Sequence, residues 1–178
     1  MIALSPIIIE EGLTKKPEKQ RKTVRAVMVN DKEEVLLVYS SHFDDYTFPG
    51  GGIKGEETEK RALKRELKEE IGAKGIKIIE PLGYIKEIKY GLFKNDTVYL
   101  QKSIYYIVEI EGIGIQHLDH RETLHGVKPM WVKIDEAIKH NQMVSLDEKH
   151  QAYGLKTVLK REQCVLEKLK ERLLNEKI

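Results

Sequence analysis

Cysteine is almost missing from this chain: Cys164 stands alone among 178 residues. An internal disulfide is therefore excluded, and a reducing, cytoplasmic setting is the simple expectation. Long apolar runs are missing too. Nothing approaches the ~18 residues of a membrane span. Ile7-Ile8-Ile9 is too short for a signal-peptide core, lacks a basic segment before it, and reads as an edge strand or packing arm. Excess charge of one sign is scarce, since 31 basic and 29 acidic residues leave +2. That gives no basic field for tight nucleic-acid binding, and no helix-turn-helix or zinc motif points to DNA. No Cys/His set has structural zinc spacing. His117, His120 and His125 are close in sequence, and exposed loop histidines are the default reading. Repeats and low-complexity segments are absent.

Apolar residues make up 40% and charged residues 34%. This fits one domain with a sizeable core and a heavily charged surface. Val24–Val29 and Val35–Tyr39 read as strands joined by a turn at Asn30-Asp31. Lys15–Lys22 reads as a solvated linker, with an RNA-contact arm as the sharper alternative. Ile76–Ile79, Leu82–Lys89 and Thr97–Ile110 are rich in Ile, Tyr and Val and read as strands. Gln116–Lys128 reads as a polar loop, Trp131–Ile134 as a short strand, and Ile134–His140 as the start of a helix. From Leu155 to Leu174 an apolar stripe of Leu155, Val158, Leu159, Val165, Leu166, Leu169 and Leu173 predicts an amphipathic helix. It packs on its own domain or, alternatively, forms a homodimer contact. Strands and helices alternate without regular βαβ units. The expected class is α/β (α+β), a mixed sheet with helices on both sides.

The richest segment is Gly51–Ala73, GGIKGEETEKRALKRELKEEIGA. A Gly-rich turn, Pro49-Gly50-Gly51-Gly52, leads into a helix predicted from Thr58, its N-cap, to Ile71, with Gly72 as its stop. Take Glu66 as zero on the helical wheel. Glu70 then falls at about 40° and Glu69 at about −60°. Leu63, Leu67 and Ile71 span about 60° to 140°, and Arg61, Lys64, Arg65 and Lys68 about 160° to 260°. The apolar sector anchors the helix, and the acidic one lies beside it at the edge of a cleft. Acids in the last helical turn oppose the macrodipole at ~0.3–1 kcal/mol each. Like charges four apart cost a further ~0.2–0.5 kcal/mol. Arg65 can offset part of this through Glu69 four residues on, and a bound cation would cancel more. Carboxylates with no soft ligands suit Mg²⁺, with Mn²⁺ able to substitute.

Gly51, five residues, Glu57, seven residues, then Arg65-Glu66-Leu67-Lys68-Glu69-Glu70-Ile71-Gly72 resembles the Nudix box, G-x5-E-x7-R-E-U-x-E-E-x-G-U with U a bulky aliphatic residue. Every fixed letter is present, and only Ala73, small where U is bulky, departs. A chance match is on the order of 10^-5 over the chain. Flanking pattern extends the resemblance to roughly residues 23–140.

The resemblance implies an α/β/α sandwich with a central mixed sheet. The implied organisation is an N-terminal strand and linker at 1–22, a Nudix hydrolase domain at 23–145, and a C-terminal amphipathic helix packed on it at 146–178. It implies that Glu66, Glu69 and Glu70 bind metal or activate water, that Arg65 orients a carboxylate, and that Glu57 supports that network. The Gly51 position can lend a carbonyl to the metal. Many members recruit a further acid from a later loop; Glu122 is the best-placed candidate here and Asp119 the second. Arg25 and His42 are candidates for phosphate or base contacts. Tyr90 matches in offset a tyrosine of some dinucleoside polyphosphate hydrolases of the family. The implied reaction is attack of metal-activated water on a phosphoanhydride of a nucleoside diphosphate linked to another moiety. The implied partner is a small-molecule nucleotide, with neither DNA nor membrane.

A catalytically silent nucleotide-binding sensor is the alternative, and such domains often have eroded box acids. A family isomerase needs a catalytic cysteine, whereas Cys164 lies within the apolar C-terminal helix.

Overall fold

The computed structural model describes residues 1–91, 94–147, 152 and 154–175, with the backbone alone at 94–96. Residues 148–151, 153 and 176–178, inside the expected C-terminal unit 146–178, lie outside the described residues. The strands are β1 (Ile8–Ile9), β2 (Lys19–Val27), β3 (Glu34–Ser40), β4 (Asp45–Thr47), β5 (Gly50–Gly52), β6 (Lys77–Gly91), β7 (Lys94–Glu109) and β8 (Val127–Lys133). The helices are α1 (Glu59–Ile71), α2 (His120–Leu124), α3 (Ile134–Leu146) and α4 (Leu155–Asn175).

Five strands form a mixed sheet in the order β1-β6-β7-β2-β5, and three form an antiparallel sheet in the order β4-β3-β8. Strand alternation sends successive side chains to opposite faces, and both faces are buried. Val24, Ala26 and Met28 of the first strand pair meet Leu36, Val38, Ile104, Tyr106 and the Leu63/Leu67/Ile71 face of α1. Their neighbours Val27, Val35, Leu37 and Tyr105 meet Val165, Leu166 and Leu169 of α4. This is the expected mixed sheet between helices. No helix among the described residues is long and apolar enough to cross a membrane.

Four local expectations change. Lys19–Lys22 is not linker but the start of β2, paired in parallel with Tyr99–Lys102 of β7. Its side chains are exposed, so the strand lies in the backbone pairing and leaves no apolar period to read. The β2 and β3 segments pair only near Val29 and Val35, and then diverge into different sheets. The expected turn survives, because the Asn30 side-chain oxygen accepts from the amides of Lys32 and Glu34. The loop 116–128 contains α2, whose first turn is a capping box between Asp119 and Glu122. The two expected strands at 76–79 and 82–89 are one strand, β6, with irregular register around Pro81. Ile8-Ile9 is an edge strand, parallel to β6.

Candidate active site

α1 begins where the Thr58 side chain accepts from the Arg61 amide and ends at Gly72 in the left-handed conformation, φ 61°. Its acidic sector faces β5, whose three glycines leave their backbone open. The Gly50 amide donates to Glu70 Oε2 at 2.6 Å. A Cβ on Gly51 would stand 2.5 Å from the Glu66 carboxyl carbon, so the main chain lies directly against that carboxylate.

Arg65 organises the group. Its Nε and Nη2 donate to the two Glu57 oxygens at 2.8 and 2.9 Å, a fork-to-fork pair. Nη1 donates to Glu66 at 2.6 Å and to Glu69 at 3.1 Å, and Nη2 also donates to the Gly52 carbonyl at 3.0 Å. The Arg65 hydrogen bonds, with one from the Lys54 amide, hold Glu57 down to about 2. Burial pushes the Glu70 carboxyl up to about 8, opposed by the nearby Arg25 charge and the Gly50 amide.

A cavity of about 200 Å³ opens beside these acids. Glu70 and Glu122 both line it, so α2 brings Glu122 to the box helix. Burial raises the Glu122 carboxyl, and the Glu66 and Glu69 charges add to the rise. Glu122 Oε2 also accepts from the Asp119 amide at 2.7 Å, while Asp119 is spent on the reciprocal cap. Arg25 lines the cavity too, but its Nη1 donates to the carbonyls of Phe48 and Gly50 at 2.9 and 2.8 Å. It clamps the turn that carries the box glycines. His42 is exposed at the rim, stacked on the cavity-lining His125 with ring centres 4.9 Å apart. Tyr90 is not brought to the cavity: it lies at the end of β6, its amide bonded to Glu10 at 2.7 Å.

Several cavity residues have no counterpart in the sequence expectations: Arg21, Lys89, Arg161 and Asp45. Arg161 is buried with Glu162 inside the α4 stripe. Its Nη1 donates to Glu87 at 2.8 Å, and its Nε to Glu162 at 2.8 Å. Glu162 also accepts from the Phe48 amide at 3.0 Å, tying α4 to the residue before Pro49. Burial opposes ionisation of Glu87, but Arg161 and Lys89 hold it down to about 2. Burial brings Lys89 down to about 8. The one visible signal was a charged pair, Arg161-Glu162, at positions where the apolar stripe should continue.

A divalent cation fits this donor set. All candidate ligands are hard oxygens: the Glu66, Glu69 and Glu70 carboxylates and the Gly51 carbonyl. Among the described residues no three acidic or histidine side chains already converge on one point, because Arg65 holds an oxygen of both Glu66 and Glu69. Mg²⁺ needs only one or two carboxylates, completing its shell with water and substrate phosphate. The glycine at 51 preserves the space a side chain would fill.

Comparison with known proteins bears on this arrangement. The chain is 32% identical over 123 residues to diphosphoinositol polyphosphate phosphohydrolase 2 of Rattus norvegicus, covering 68% of this chain and 62% of that protein. It is 30% identical over 122 residues to diphosphoinositol polyphosphate phosphohydrolase 3-beta of Homo sapiens, covering 68% of each. The chain thus spans only about three fifths of the rat protein's length. Among solved structures, a NUDIX hydrolase from Nitrosomonas europaea superposes with TM-score 0.54 at 23% identity, covering 84% of this chain and 86% of that one. The MutT protein of Methanosarcina mazei Go1 gives TM-score 0.53 at 16% identity, covering 90% and 98%. These two establish likeness of fold. Residues 19–152 match the NUDIX domain, a span that holds both sheets' central strands, the glycine turn and the whole of α1, and so this chain belongs to the Nudix family.

Proposed function

We propose that this chain is a divalent-metal-dependent pyrophosphohydrolase that cleaves a phosphoanhydride bond of a nucleoside diphosphate linked to another moiety. The observation that carries the reading is the set of box acids Glu57, Glu66 and Glu69 gathered by Arg65 beside the open backbone of Gly50–Gly52, with Glu70 of the same helix lining one cavity with Glu122. Bound Mg²⁺, or Mn²⁺ in its place, supplies a water of lowered pKa and neutralises charge on the diphosphate. Glu66, Glu69 and Glu70 would hold it, with the Gly51 carbonyl. Arg65 fixes the rotamers of Glu66 and Glu69. Glu122, whose carboxyl is raised, takes the proton of the attacking water. Arg25 holds the turn in place, and the cationic side chains of Arg21 and Lys89 receive the diphosphate.

A second reading of the substrate has its own support. The wall of Arg21, Lys89 and Arg161 suits an anion-rich ligand, and the curated relatives are named for diphosphoinositol polyphosphates. A product screen with Mg²⁺ separates the two. Nucleoside diphosphate derivatives and a diphosphoinositol polyphosphate are each offered in ¹⁸O-water. Hydrolysis should place label on a product phosphate, and Glu69→Gln or Glu70→Gln should cut turnover by orders of magnitude. Label only on carbon, or full turnover in both variants, would sink the proposal. Nucleotide binding without turnover would favour a silent sensor.

A further inference from the structure

The cavity has a wall that hydrolysis does not use. Asp45, on the short strand β4, is 3% exposed yet lines the cavity. Among the described residues only its own backbone amide hydrogen-bonds its carboxylate. Arg25 and Arg161 act on it through space without a hydrogen bond, and Glu162 repels it. Burial, then Glu162, pushes the carboxyl up to about 7. A carboxylate can accept several hydrogen bonds, so one from its own amide leaves Asp45 acceptor capacity to spare for a ligand. Phe43, Leu155 and Val158 line the same cavity.

This combination selects a chemistry. A carboxylate accepts from N–H or O–H donors and opposes a phosphate, and Phe43, Leu155 and Val158 add apolar surface to the same cavity. The cations that suit phosphate, Arg21 and Lys89, line the cavity as well, on the strands β2 and β6. The cavity is about 200 Å³, room for one ring-sized group. A flat heteroaromatic ring with an amino group answers both features, its faces apolar and its edge a donor. A ring crowded with phosphates suits those cations but offers Asp45 no donor.

We propose that Asp45 reads the base of the substrate: its carboxylate accepts from the amino edge of a nucleobase seated against Phe43, Leu155 and Val158. The proposal rests on the nucleoside diphosphate reading above and narrows it to bases that carry an exocyclic amino group. Adenine, guanine and cytosine have one, and uracil does not. Asp45 is then a specificity residue that sorts substrates by base while the box acids act on the diphosphate.

The test is equilibrium binding of ADP, GDP, CDP and UDP to the full chain by calorimetry, in wild type, Asp45→Ala and Asp45→Asn. In wild type, UDP should bind more weakly than at least one amino-bearing nucleotide by about tenfold or more. Asp45→Ala should weaken that nucleotide roughly 10- to 100-fold, the range for one or two charge-assisted hydrogen bonds, and bring it to the level of UDP. Inorganic tripolyphosphate, which has no base, should bind all three proteins alike and reports that the phosphate side is intact. If Asp45→Ala does not fold, Asp45→Asn keeps the side-chain volume and should still narrow the ranking. UDP binding as tightly as the others in wild type overturns the proposal. So does a ranking that survives in a folded variant, or tight binding of tripolyphosphate with none of any nucleotide. Selective binding by wild type without cleavage of the linked diphosphates would remove the hydrolysis reading and leave the role of Asp45 standing.

Discussion

Replacing Gly51 with alanine should disable the site while leaving the fold in place. The new Cβ would lie 2.5 Å from the Glu66 carboxyl carbon and 2.6 and 2.7 Å from its two oxygens. Ordinary contact begins near 3.4 Å, so the carboxyl group must retreat by about 0.9 Å, the difference of those two distances. The atoms in the way are the far end of a side chain, which can move. The cost to stability is therefore toward the low end of the ~1–3 kcal/mol typical of overpacking. The cost to chemistry is larger. Glu66 is held by Arg65 at 2.6 Å, and moving it breaks that bond or drags Arg65 away from Glu57 and Glu69. A misplacement of about 1 Å at reacting groups costs on the order of 10²-fold in rate.

Two neighbouring glycines make the controls. Gly55→Ala meets nothing within 4 Å, although its φ of +52° strains an alanine, so it should cost some stability and little turnover. Gly50→Ala combines φ of +133° with a collision against the Val24 carbonyl oxygen, so it should damage the fold. The assay is kcat across a Mg²⁺ titration for each variant, with a thermal melt alongside. Gly51→Ala should lose about 10²-fold in kcat with a cooperative melt. A folded Gly51→Ala enzyme with wild-type kcat at every Mg²⁺ concentration would refute the placement of Glu66 at the reacting centre.

Arg65→Lys should cost roughly 10- to 100-fold in activity, since a point charge cannot replace the fork that joins Glu57, Glu66 and Glu69. It should also change the acid limb of stability. Glu57 is held at about 2 against an ordinary 4.5, a depressed pKa whose stabilisation is full above 4.5 and lost as pH falls toward 2. The stability gap between wild type and Arg65→Lys, read from melts, should therefore shrink across that window; a gap independent of pH would contradict the assignment. Glu122→Gln should lower kcat by about 10²- to 10⁴-fold with an unchanged melt, because glutamine still serves the capping box but cannot take a proton. Wild-type kinetics would reduce Glu122 to a cap, and a loss confined to Asp119→Asn would show that the wrong acid was chosen.

Helix α1 was legible because everything that builds it is local. Thr58, Gly72, the apolar sector and the acidic sector all lie within one stretch of chain, and helical geometry alone puts Glu66, Glu69 and Glu70 on one side. Glu122 was half legible: its sequence neighbourhood was polar and acidic, and Asp119 three residues before it spelled a capping box, but only the fold could bring α2 to the cavity. Tyr90 shows the reverse hazard. Its offset from the box pointed to a site role, yet β6 carries it to Glu10.

The charged interior was hidden for a physical reason. A charged residue in a helix or strand is usually exposed, and burial becomes tolerable only when a partner arrives from elsewhere. For Arg161 that partner is Glu87, 74 positions away, on a strand that reads as an ordinary alternating β segment. The pairing also explains why the α4 stripe can carry Arg161-Glu162 at its centre without losing its place. One end of the pair reaches Glu87, and the other reaches the Phe48 amide just before the glycine turn. Removing α4 would then expose more than an apolar face: it would take Arg161 from Glu87 and release the turn that positions Gly50 and Gly51. The C-terminal helix is thus mechanically part of the candidate site, although no residue of the box signals it.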